Sequence, residues 1–307
     1  MDLSIIIVNW NTVDYLKACL RSIETHAPSC QYEVIVVDNA SSDGSAEMVE
    51  QSFPGVKLIA NSVNEYYAEG NNIGIRESRG EFVLLLNPDT KVKSGALDAL
   101  LAFGREHPDA AAVGCRLVSP DGTIQDSCRG FPDPSGVFFE YMRISRAFPE
   151  SKVFGRYRMT WFDYKHVAEV DQPMGSCLLL SRKALDEVDM FDKEFPIFFN
   201  DVDWCYRAKR LGWKVYFTPD AEVIHHGGAA TAQVSRAMKR ESHRSLWRFY
   251  RKHYRKRISR PLYWFICAAI ALNSFFASTA RRVKDIRVVE GIKSVGRILR
   301  RLRRKGS

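Results

Sequence analysis

Carboxylates that could take part in catalysis or metal binding stand at three places in the sequence. Asp38 and Asp89 each come closely after an apolar run typical of a buried β-strand. Asp201 and Asp203 lie in an acidic stretch flanked by aromatic residues. Carboxylate oxygens can remove protons as general bases, and they are ligands for hard cations such as Mg²⁺. In open α/β sheets, ligands bind beyond the carboxyl ends of the strands, so acids at those ends are well placed for chemistry.

The elements that must position these acids alternate between strands and helices. Continuous apolar runs predict strands buried on both faces, and apolar residues spaced three or four apart predict the helices between them. This alternation implies parallel crossovers and a three-layer α/β/α sandwich with a mostly parallel central sheet. Residues 119–170 are rich in Gly, Pro and aromatic residues and are predicted to form an irregular insertion. The predicted strands are 3–8, 33–37, 56–60, 82–86, 111–117, 172–181 and 214–217, and the predicted helices are 14–25, 42–51, 67–78, 95–103, 182–188, 202–211 and 235–257.

Two common nucleotide-binding classes are disfavoured by the sequence. The turn after the first strand is Asn9-Trp-Asn-Thr12, without the glycines of a dinucleotide-binding fold, and no GxxxxGK[ST] loop occurs. The seven cysteines form no CxxC pair, which disfavours a zinc knuckle, and scattered thiols fit a reducing cytosol.

Six stretches, in order from residue 5 to 228, resemble the inverting, metal-dependent glycosyltransferases of family two, which have the GT-A fold. The rhamnosyltransferase-like branch that builds bacterial surface polysaccharides is the most similar. The stretches are IIIVNWNTVDYLKACLRSI, VIVVDNASSDGS, NEYYAEGNNIGI, FVLLLNPDT, QPMGSCLLLSRKALDEVDMFDKEFPIFFNDVDWCYRAKRLGWKV and VIHHGG.

The resemblance implies a catalytic and a metal-binding role for specific acids. Asp201 matches the catalytic base, and Asp203 is the alternative. Asp89 matches the last acid of the family's acidic cluster, a ligand of Mg²⁺ or Mn²⁺. Because Asn87 stands where that cluster usually has an acid, a second ligand is expected from His225 or, as the weaker candidate, His226.

The resemblance also implies a donor site for a nucleoside-diphosphate sugar. Asp38 matches the acid that accepts the N3–H of a pyrimidine base, which suits a carboxylate because it is an acceptor only. The remaining donor-site residues implied are Asn9, Gly70, Asn71, Asn87 and Gly175, and Trp204 is a possible acceptor-site residue.

Structural roles compete with these assignments. Asp38 and Asp89 could simply form turns, and Asp201 could cap a helix that begins at residue 202. Trp204 could belong to the core, Gly70 could mark a plain helix start, and Gly175 a strand bulge.

Acidic and basic residues are distributed unevenly along the chain. Residues 236–307 carry 22 Lys and Arg against 3 Asp and Glu, whereas residues 1–235 carry 23 against 33. The basic tail contains one long apolar run, residues 262–280, and apolar residues recur every three or four positions from 283 to 302. This pattern is typical of a basic amphipathic helix in a membrane interface. We therefore predict a catalytic domain at 1–256 and a basic helical tail at 257–307 that binds an anionic membrane surface, at the cytoplasmic face. For the apolar run 262–280 an in-plane or re-entrant anchor is favoured, and a full membrane span and a soluble bundle element are the alternatives.

The resemblance implies transfer of a sugar to a hydroxyl of a glycan or lipid-linked glycan, and the rhamnosyltransferase-like branch implies L-rhamnose from dTDP-L-rhamnose as the donor. Another donor, such as a UDP-sugar, remains the alternative, as does a non-catalytic sugar-nucleotide-binding protein. A nucleic-acid partner is not expected, because the tail matches no RRM or helix-turn-helix motif and its apolar runs do not suit a solvated arm.

Overall fold

The computed structural model describes residues 1–233 and 235–268. The chain forms two compact units, Met1–Ser245 and Leu246–Ser307, the second of which is described as far as residue 268. The apolar run 262–280 is therefore described only in part, and the predicted amphipathic segment 283–302 lies outside the described residues.

The first unit is built on a mixed sheet of nine strands in the described part of the chain. Eight of them follow the order β3-β2-β1-β4-β10-β6-β11-β5, and β8 pairs with β11. The neighbours β3, β2, β1 and β4 run parallel, as do β6 and β11, whereas β10, β5 and β8 run antiparallel to their neighbours. The strands are β1 Leu3–Asn9, β2 Tyr32–Asp38, β3 Lys57–Ala60, β4 Phe82–Leu86, β5 Thr90–Val92, β6 Ala110–Val118, β8 Ala168–Glu169, β10 Cys177–Ser181 and β11 Lys214–His225; a separate pair is β7 Cys128–Arg129 with β9 Gln172–Pro173.

Helices cover both faces of this sheet. Along β1, Leu3, Ile5 and Ile7 enter one core and Ile6 enters the other, because successive side chains of a strand point to opposite faces. The first core receives residues of α1 and α4, and the second receives residues of α3, α7 and α8. The helices are α1 Val13–Thr25, α2 Ser45–Ser52, α3 Tyr66–Glu77, α4 Ala96–Glu106, α5 Pro134–Tyr141, α6 Ile144–Ala147, α7 Arg182–Val188, α8 Asn200–Arg210, α9 Ala229–Ala232 and α10 Ser235–Phe249, followed by a π-helical segment Tyr250–Tyr254. The predicted three-layer sandwich is thus confirmed.

Two differences from the predicted elements shape the site. The predicted strand 172–181 is broken at residues 174–176, so that β9 and β10 are separate. The predicted strand 214–217 continues to His225 through an irregularity in its pairing with β6 between Thr218 and Glu222. The extra length carries His225 to the sheet edge where β5 pairs with β11, a short strand that the sequence pattern did not predict.

In the part of the chain that the structure describes, no helix combines the length and the apolar character needed to cross a membrane.

Candidate active site

The first corner of the candidate site is formed by the carboxyl ends of β1 and β2. The register of these parallel strands places Asn9 beside Asp38. Asn9 Nδ2 donates to Asp38 Oδ1 at 2.8 Å, and Asn9 Oδ1 accepts from Thr12 Oγ1 at 2.6 Å. Both side chains are buried, so the pair forms a rigid floor at the edge of the sheet.

Asp38 also organises the turn that follows β2. Its Oδ2 accepts from the backbone N–H of Ser41 at 2.9 Å, and its Oδ1 accepts from Ser41 Oγ at 2.6 Å. The turn-forming role is therefore present. Because a carboxylate has about four acceptor positions, the role predicted for a nucleotide base remains chemically open to it.

Asp43 contacts the first residues of both α1 and α2. Its Oδ1 accepts from the N–H and hydroxyl of Ser45, the first residue of α2, while its Oδ2 accepts from Val13 N at 2.8 Å. Val13 is the first residue of α1, whose N–H lacks a helical partner. Asp43 thus joins the starts of two helices.

Gly70 does not stand at a helix start. α3 begins at Tyr66, so Gly70 lies in its second turn, where its N–H belongs to the helix. A Cβ at Gly70 would come within 2.7 Å of Val8 Cγ1, so glycine is needed for α3 to approach β1. Asn71 is buried, and its Nδ2 donates to the Tyr67 carbonyl at 2.9 Å. The local structure therefore explains both residues by packing, and neither stands at the start of the helix; their role at the donor site stays a prediction.

The second corner of the site brings together Asp89 and His225. The antiparallel pairing of Thr90 with His225 brings the neighbouring Asp89 next to His225. His225 Nε2 lies 3.5 Å from Asp89 Oδ1. The loop after His225 closes around the carboxylate, since Ala229 N donates to Asp89 Oδ2 at 3.2 Å. Burial alone would raise the pKa of Asp89, but the adjacent His225 imidazole and the Ala229 N–H hold it below its usual range. Asp89 is therefore ionised at neutral pH.

The protonation of His225 follows from its contact with Gln125. The Gln125 amide donates through Nε2 to the His225 carbonyl at 2.8 Å, and a carbonyl can only accept. Gln125 Oε1 must then face His225 Nδ1, which is 2.8 Å away, and so Nδ1 carries the proton. The buried Nε2 has no hydrogen-bond partner and lies 3.5 Å from Asp89 Oδ1, so in the neutral ring it is the nitrogen that can bind a cation. A metal-binding histidine has the same arrangement, because its second nitrogen donates to an acceptor that fixes the ring.

His226 is placed differently from its neighbour. Its ring packs edge-on against Tyr15 of α1, with 5.1 Å between ring centroids, and its N–H donates to the Asp89 carbonyl at 2.9 Å. The two adjacent histidines thus diverge, and only the His225 ring faces the Asp89 carboxylate. His226 supports the loop around Asp89 from outside.

The third corner of the site is Asp201, in the first turn of α8. The helix begins at Asn200 after Phe199, so Asp201 is not the N-cap that the sequence suggested. Its Oδ2 accepts from Gly175 N and from Gln172 Nε2, each at 3.0 Å, and its Oδ1 accepts from Val202 N at 2.8 Å. Burial raises the pKa of this carboxyl despite the three N–H donors.

Gly175 is required by this arrangement. A Cβ there would lie 3.3 Å from Asp201 Oδ2, closer than side chains normally pack. The Gly175 carbonyl accepts from the Tyr67 hydroxyl at 2.8 Å. Burial, together with the nearby Asp201 charge, raises the pKa of Tyr67, so its hydroxyl stays protonated as a donor.

Asp203 and Trp204 belong to the packed interior. Asp203 is fully buried and forms an ion pair with Arg207, whose Nη2 also donates to the Met190 carbonyl at 2.7 Å. Trp204 is fully buried in the second core, and its Nε1 donates to the Asp189 carbonyl at 2.9 Å. Neither side chain reaches solvent, so the structure does not support Asp203 as an alternative base or Trp204 as an acceptor contact.

Residues 174–176, between β9 and β10, contact both Asp201 and the loop that carries Asp89. Next to Gly175, Ser176 accepts through its carbonyl from Asn87 N at 2.9 Å and through its hydroxyl from Asn87 Nδ2 at 3.1 Å. Asn87 precedes Asp89 by two residues, and its buried Oδ1 has no hydrogen-bond partner. Asp201 and Asp89 are therefore linked by hydrogen bonds between two backbone segments, Gly175-Ser176 and the loop that begins at Asn87.

Sequence reasoning missed Gln125, Gln172 and Tyr67, which all act through other site residues. Gln125 lies in the irregular segment 119–170, where no periodic pattern placed it. Gln172 and Tyr67 each lie within one of the six matching stretches, at the first residue of a predicted strand and of a predicted helix, and that was the available signal.

The sequence was then compared with known proteins. Residues 4–188 match the family described as glycosyl transferase family 2. The chain belongs to this family. The match includes Asn9, Asp38, Asp89 and Gly175, whereas Asp201 and His225 lie beyond it.

Two curated relatives are rhamnosyltransferases by name. The N-acetylglucosaminyl-diphospho-decaprenol L-rhamnosyltransferase of Mycobacterium tuberculosis is 27% identical over 94% of this chain and 98% of its own length. Rhamnosyltransferase WbbL of Escherichia coli is 24% identical over 72% of this chain and 82% of its own length.

Solved structures share the fold. The mannosyltransferase PcManGT from Pyrobaculum calidifontis, in complex with GDP-Man and Mn²⁺, matches with a TM-score of 0.58 at 17% identity, over 91% of this chain and 75% of that one. S. aureus TarS 1-349 matches with a TM-score of 0.53 at 18% identity, over 84% and 74%. The GT-A-type fold expected from the sequence is thus confirmed for this family 2 glycosyltransferase.

Proposed function

We propose that this protein is a metal-dependent, inverting glycosyltransferase that moves L-rhamnose from dTDP-L-rhamnose to a lipid-linked glycan. The observation that carries the proposal is the set of hydrogen bonds from Asp201 to Gly175 and from Ser176 to Asn87, which links the Asp201 carboxylate to the loop that carries Asp89. A metal-dependent inverting transfer needs a base near the acceptor and a cation site near the diphosphate, and we propose that the carboxylates of Asp201 and Asp89 serve these two purposes.

The names of the relatives support the proposed donor and acceptor. Both rhamnosyltransferases named above match more than two thirds of this chain, which supports L-rhamnose as the sugar. The mycobacterial name specifies a glycan on a polyprenyl diphosphate, so we propose an N-acetylglucosaminyl diphosphate lipid as the acceptor class. A different donor, such as a UDP-sugar, would fit the same fold.

Asp201 is proposed to remove the proton from the acceptor hydroxyl. In an inverting transfer, that hydroxyl attacks the anomeric carbon from the face opposite the departing diphosphate in one displacement. A single base is enough, because the nucleoside diphosphate leaves without protonation. The raised pKa of Asp201 makes the carboxylate a stronger base, and the N–H donors of Gly175 and Gln172 fix its position.

Asp89 and His225 are proposed to hold Mg²⁺ or Mn²⁺. The fit rests on His225 Nε2, a buried nitrogen without a hydrogen-bond partner that lies 3.5 Å from the ionised Asp89 carboxylate. Among the described residues no group of three or more Asp, Glu, His or Cys forms a complete cation site, so oxygen atoms of the diphosphate and water would supply the remaining ligands. The ion would neutralise charge that develops on the leaving diphosphate.

Asn9 and Asp38 are proposed to face the nucleotide base. The base N3–H of thymine or uracil is a donor, and Asp38 is an acceptor whose position is fixed by Asn9 and Ser41. Asn87 is proposed to face the diphosphate, because its buried Oδ1 lies unpartnered next to the Asp89 loop and can bond a water of the ion's shell.

We also propose a catalytic domain at 1–256 and membrane association through the tail, 257–307, at the cytoplasmic face. In the described part of the tail, Trp264 and Phe265 are largely exposed, at 68% and 63%. Four arginines, Arg251, Arg255, Arg257 and Arg260, precede them. Aromatic and basic residues together suit the interface of an anionic bilayer.

A donor screen tests the proposal. The full chain is incubated with Mn²⁺ or Mg²⁺, an alkyl-linked N-acetylglucosaminyl diphosphate and each of several nucleotide sugars, and released nucleotide and the anomeric configuration of the product are measured. Turnover with dTDP-L-rhamnose, inversion, and loss of activity with EDTA are expected. Binding of nucleotide sugar without any transfer would instead indicate a non-catalytic binder.

A further inference from the structure

A cavity of about 320 Å³ lies beside the candidate active site, and no residue of the proposed mechanism lines it. One wall is formed by Tyr66, Pro196 and Ile197, and the other by Arg240, Glu241 and Arg244 of α10. Its volume is at the lower end of the range for ligand sites, roughly 300–1,000 Å³, and so suits part of a ligand.

Two arginines give the cavity an excess of positive charge. Arg240 and Arg244 are four residues apart, which places them on one face of α10. Both are exposed, and neither makes a hydrogen bond or ion pair with another residue in the described ranges 1–233 and 235–268. Like charges at this spacing destabilise a helix slightly, and an anion between them would relieve that repulsion. Glu241, which accepts from Ser245 Oγ at 3.4 Å, offsets one of the two charges.

The wall formed by Tyr66, Pro196 and Ile197 is hydrogen-bonded to residues next to the candidate active site. The Ile197 carbonyl accepts from the side chain of Asn200 at 2.7 Å, and Asn200 directly precedes the proposed base in the chain. The Pro196 carbonyl accepts from Ala68 N at 3.0 Å, which ties this wall to the start of α3. Tyr66 and the proposed donor site are joined as well, since the Tyr66 carbonyl accepts from Asn39 Nδ2 at 3.0 Å.

We propose that this cavity binds the diphosphate of the lipid-linked acceptor, an inference that rests on the proposed function. Guanidinium groups pair with phosphate oxygens through two parallel N–H bonds, and the arginines of one helix face present two such groups. Tyr66, whose side chain is half-exposed, offers a ring for the first sugar. The acceptor would then approach Asp201 along the wall formed by Ile197.

The donor diphosphate is the other anion that the reaction provides, and the geometry favours the acceptor. The proposed donor diphosphate site is the edge with Asn87, Asp89 and His225, and none of these residues lines the cavity. A second site for phosphate oxygens fits a reaction whose two substrates both carry a diphosphate.

The test compares two acceptors that differ only in the diphosphate. The wild-type full chain and the double variant Arg240→Gln/Arg244→Gln are assayed with an alkyl-linked N-acetylglucosaminyl diphosphate and with the matching alkyl glycoside without phosphate. We expect the KM for the diphosphate acceptor to rise about tenfold or more, because hydrogen bonds to charged groups are lost. The KM for the phosphate-free acceptor and for the donor should stay unchanged.

The matched control carries the same charge change elsewhere on the first unit. Arg21 and Arg210 are exposed helix residues that do not line the cavity, so Arg21→Gln/Arg210→Gln should leave every KM unchanged. The variant Arg244→Lys should be intermediate, because lysine keeps the charge but not the planar fork. Circular dichroism checks that all variants fold.

Three results would overturn the proposal: an equal loss with both acceptors, a rise in the donor KM instead, or no change in any KM. Direct binding of the diphosphate acceptor, measured by calorimetry without donor, separates this inference from the proposed function. If the wild type shows no transfer, the proposed function fails, but weaker acceptor binding by the double variant would still support the diphosphate site and equal binding would refute it.

Discussion

The substitution Gln125→Leu is expected to weaken cation binding although it replaces neither of the two proposed cation ligands. Gln125 Oε1 accepts from His225 Nδ1 at 2.8 Å, and this contact fixes a proton on Nδ1, which leaves Nε2 to bind the cation in the neutral ring. Leucine cannot accept, so the imidazole loses both its fixed orientation and its fixed tautomer. Removing such a supporting contact typically costs about 10–100-fold in metal affinity. This corresponds to about 1.4–2.7 kcal/mol of binding free energy.

The assay is a titration of free Mn²⁺ by electron paramagnetic resonance in the presence of dTDP, which reports binding without turnover. We expect the Mn²⁺ Kd to rise by the stated factor, and the kcat at saturating Mn²⁺ to remain close to wild type. Gln51→Leu, on an exposed position of α2, is the matched control and should change neither value. A folded Gln125→Leu protein with a Mn²⁺ Kd within about twofold of wild type would refute the tautomer argument.

Three further predictions concern the proposed base and its neighbours. Gly175→Ala should lower kcat by roughly ten- to a hundredfold while leaving the nucleotide Kd unchanged, because its Cβ would displace the Asp201 carboxylate; unchanged kcat would contradict this. Asp203→Asn should lower the free energy of unfolding by about 1–3 kcal/mol, because Arg207 loses its buried carboxylate partner; urea denaturation measures this change. A large loss of kcat in the folded variant would instead support Asp203 as the base. In the pH profile of kcat/KM, the rate should fall with decreasing pH through the raised pKa of Asp201, above the ordinary value of about 3.9 for aspartate; a limb at or below that value would contradict the burial argument.

Periodic features of the sequence predicted the layers of the fold. Buried strands such as β1 and β4 are continuous apolar runs, and amphipathic helices such as α1 carry apolar residues at regular spacing. These patterns reflect burial directly, since each face of the sheet must be covered. The acids at strand ends followed from the same logic, because parallel strands end at one edge of the sheet.

The contacts that fix the site could not be predicted in this way. Gln125 and His225 are 100 residues apart, and their contact depends on where an irregular segment returns to the sheet. The local pattern of residues 200–206 does not distinguish Asp201 from Asp203, since both are in the first turn of α8. Burial separates them, because Asp203 faces Arg207 in the interior whereas Asp201 remains partly exposed.

The steady-state kinetics of Asp201→Asn test the central claim most directly. With dTDP-L-rhamnose, Mn²⁺ and the diphosphate acceptor, loss of a general base should lower kcat by about 10²–10⁴-fold. The Kd for dTDP-L-rhamnose should stay close to wild type, because Asp201 is not among the proposed donor contacts. A variant that retains kcat within about tenfold of wild type would contradict the assignment of Asp201 as the base that activates the acceptor.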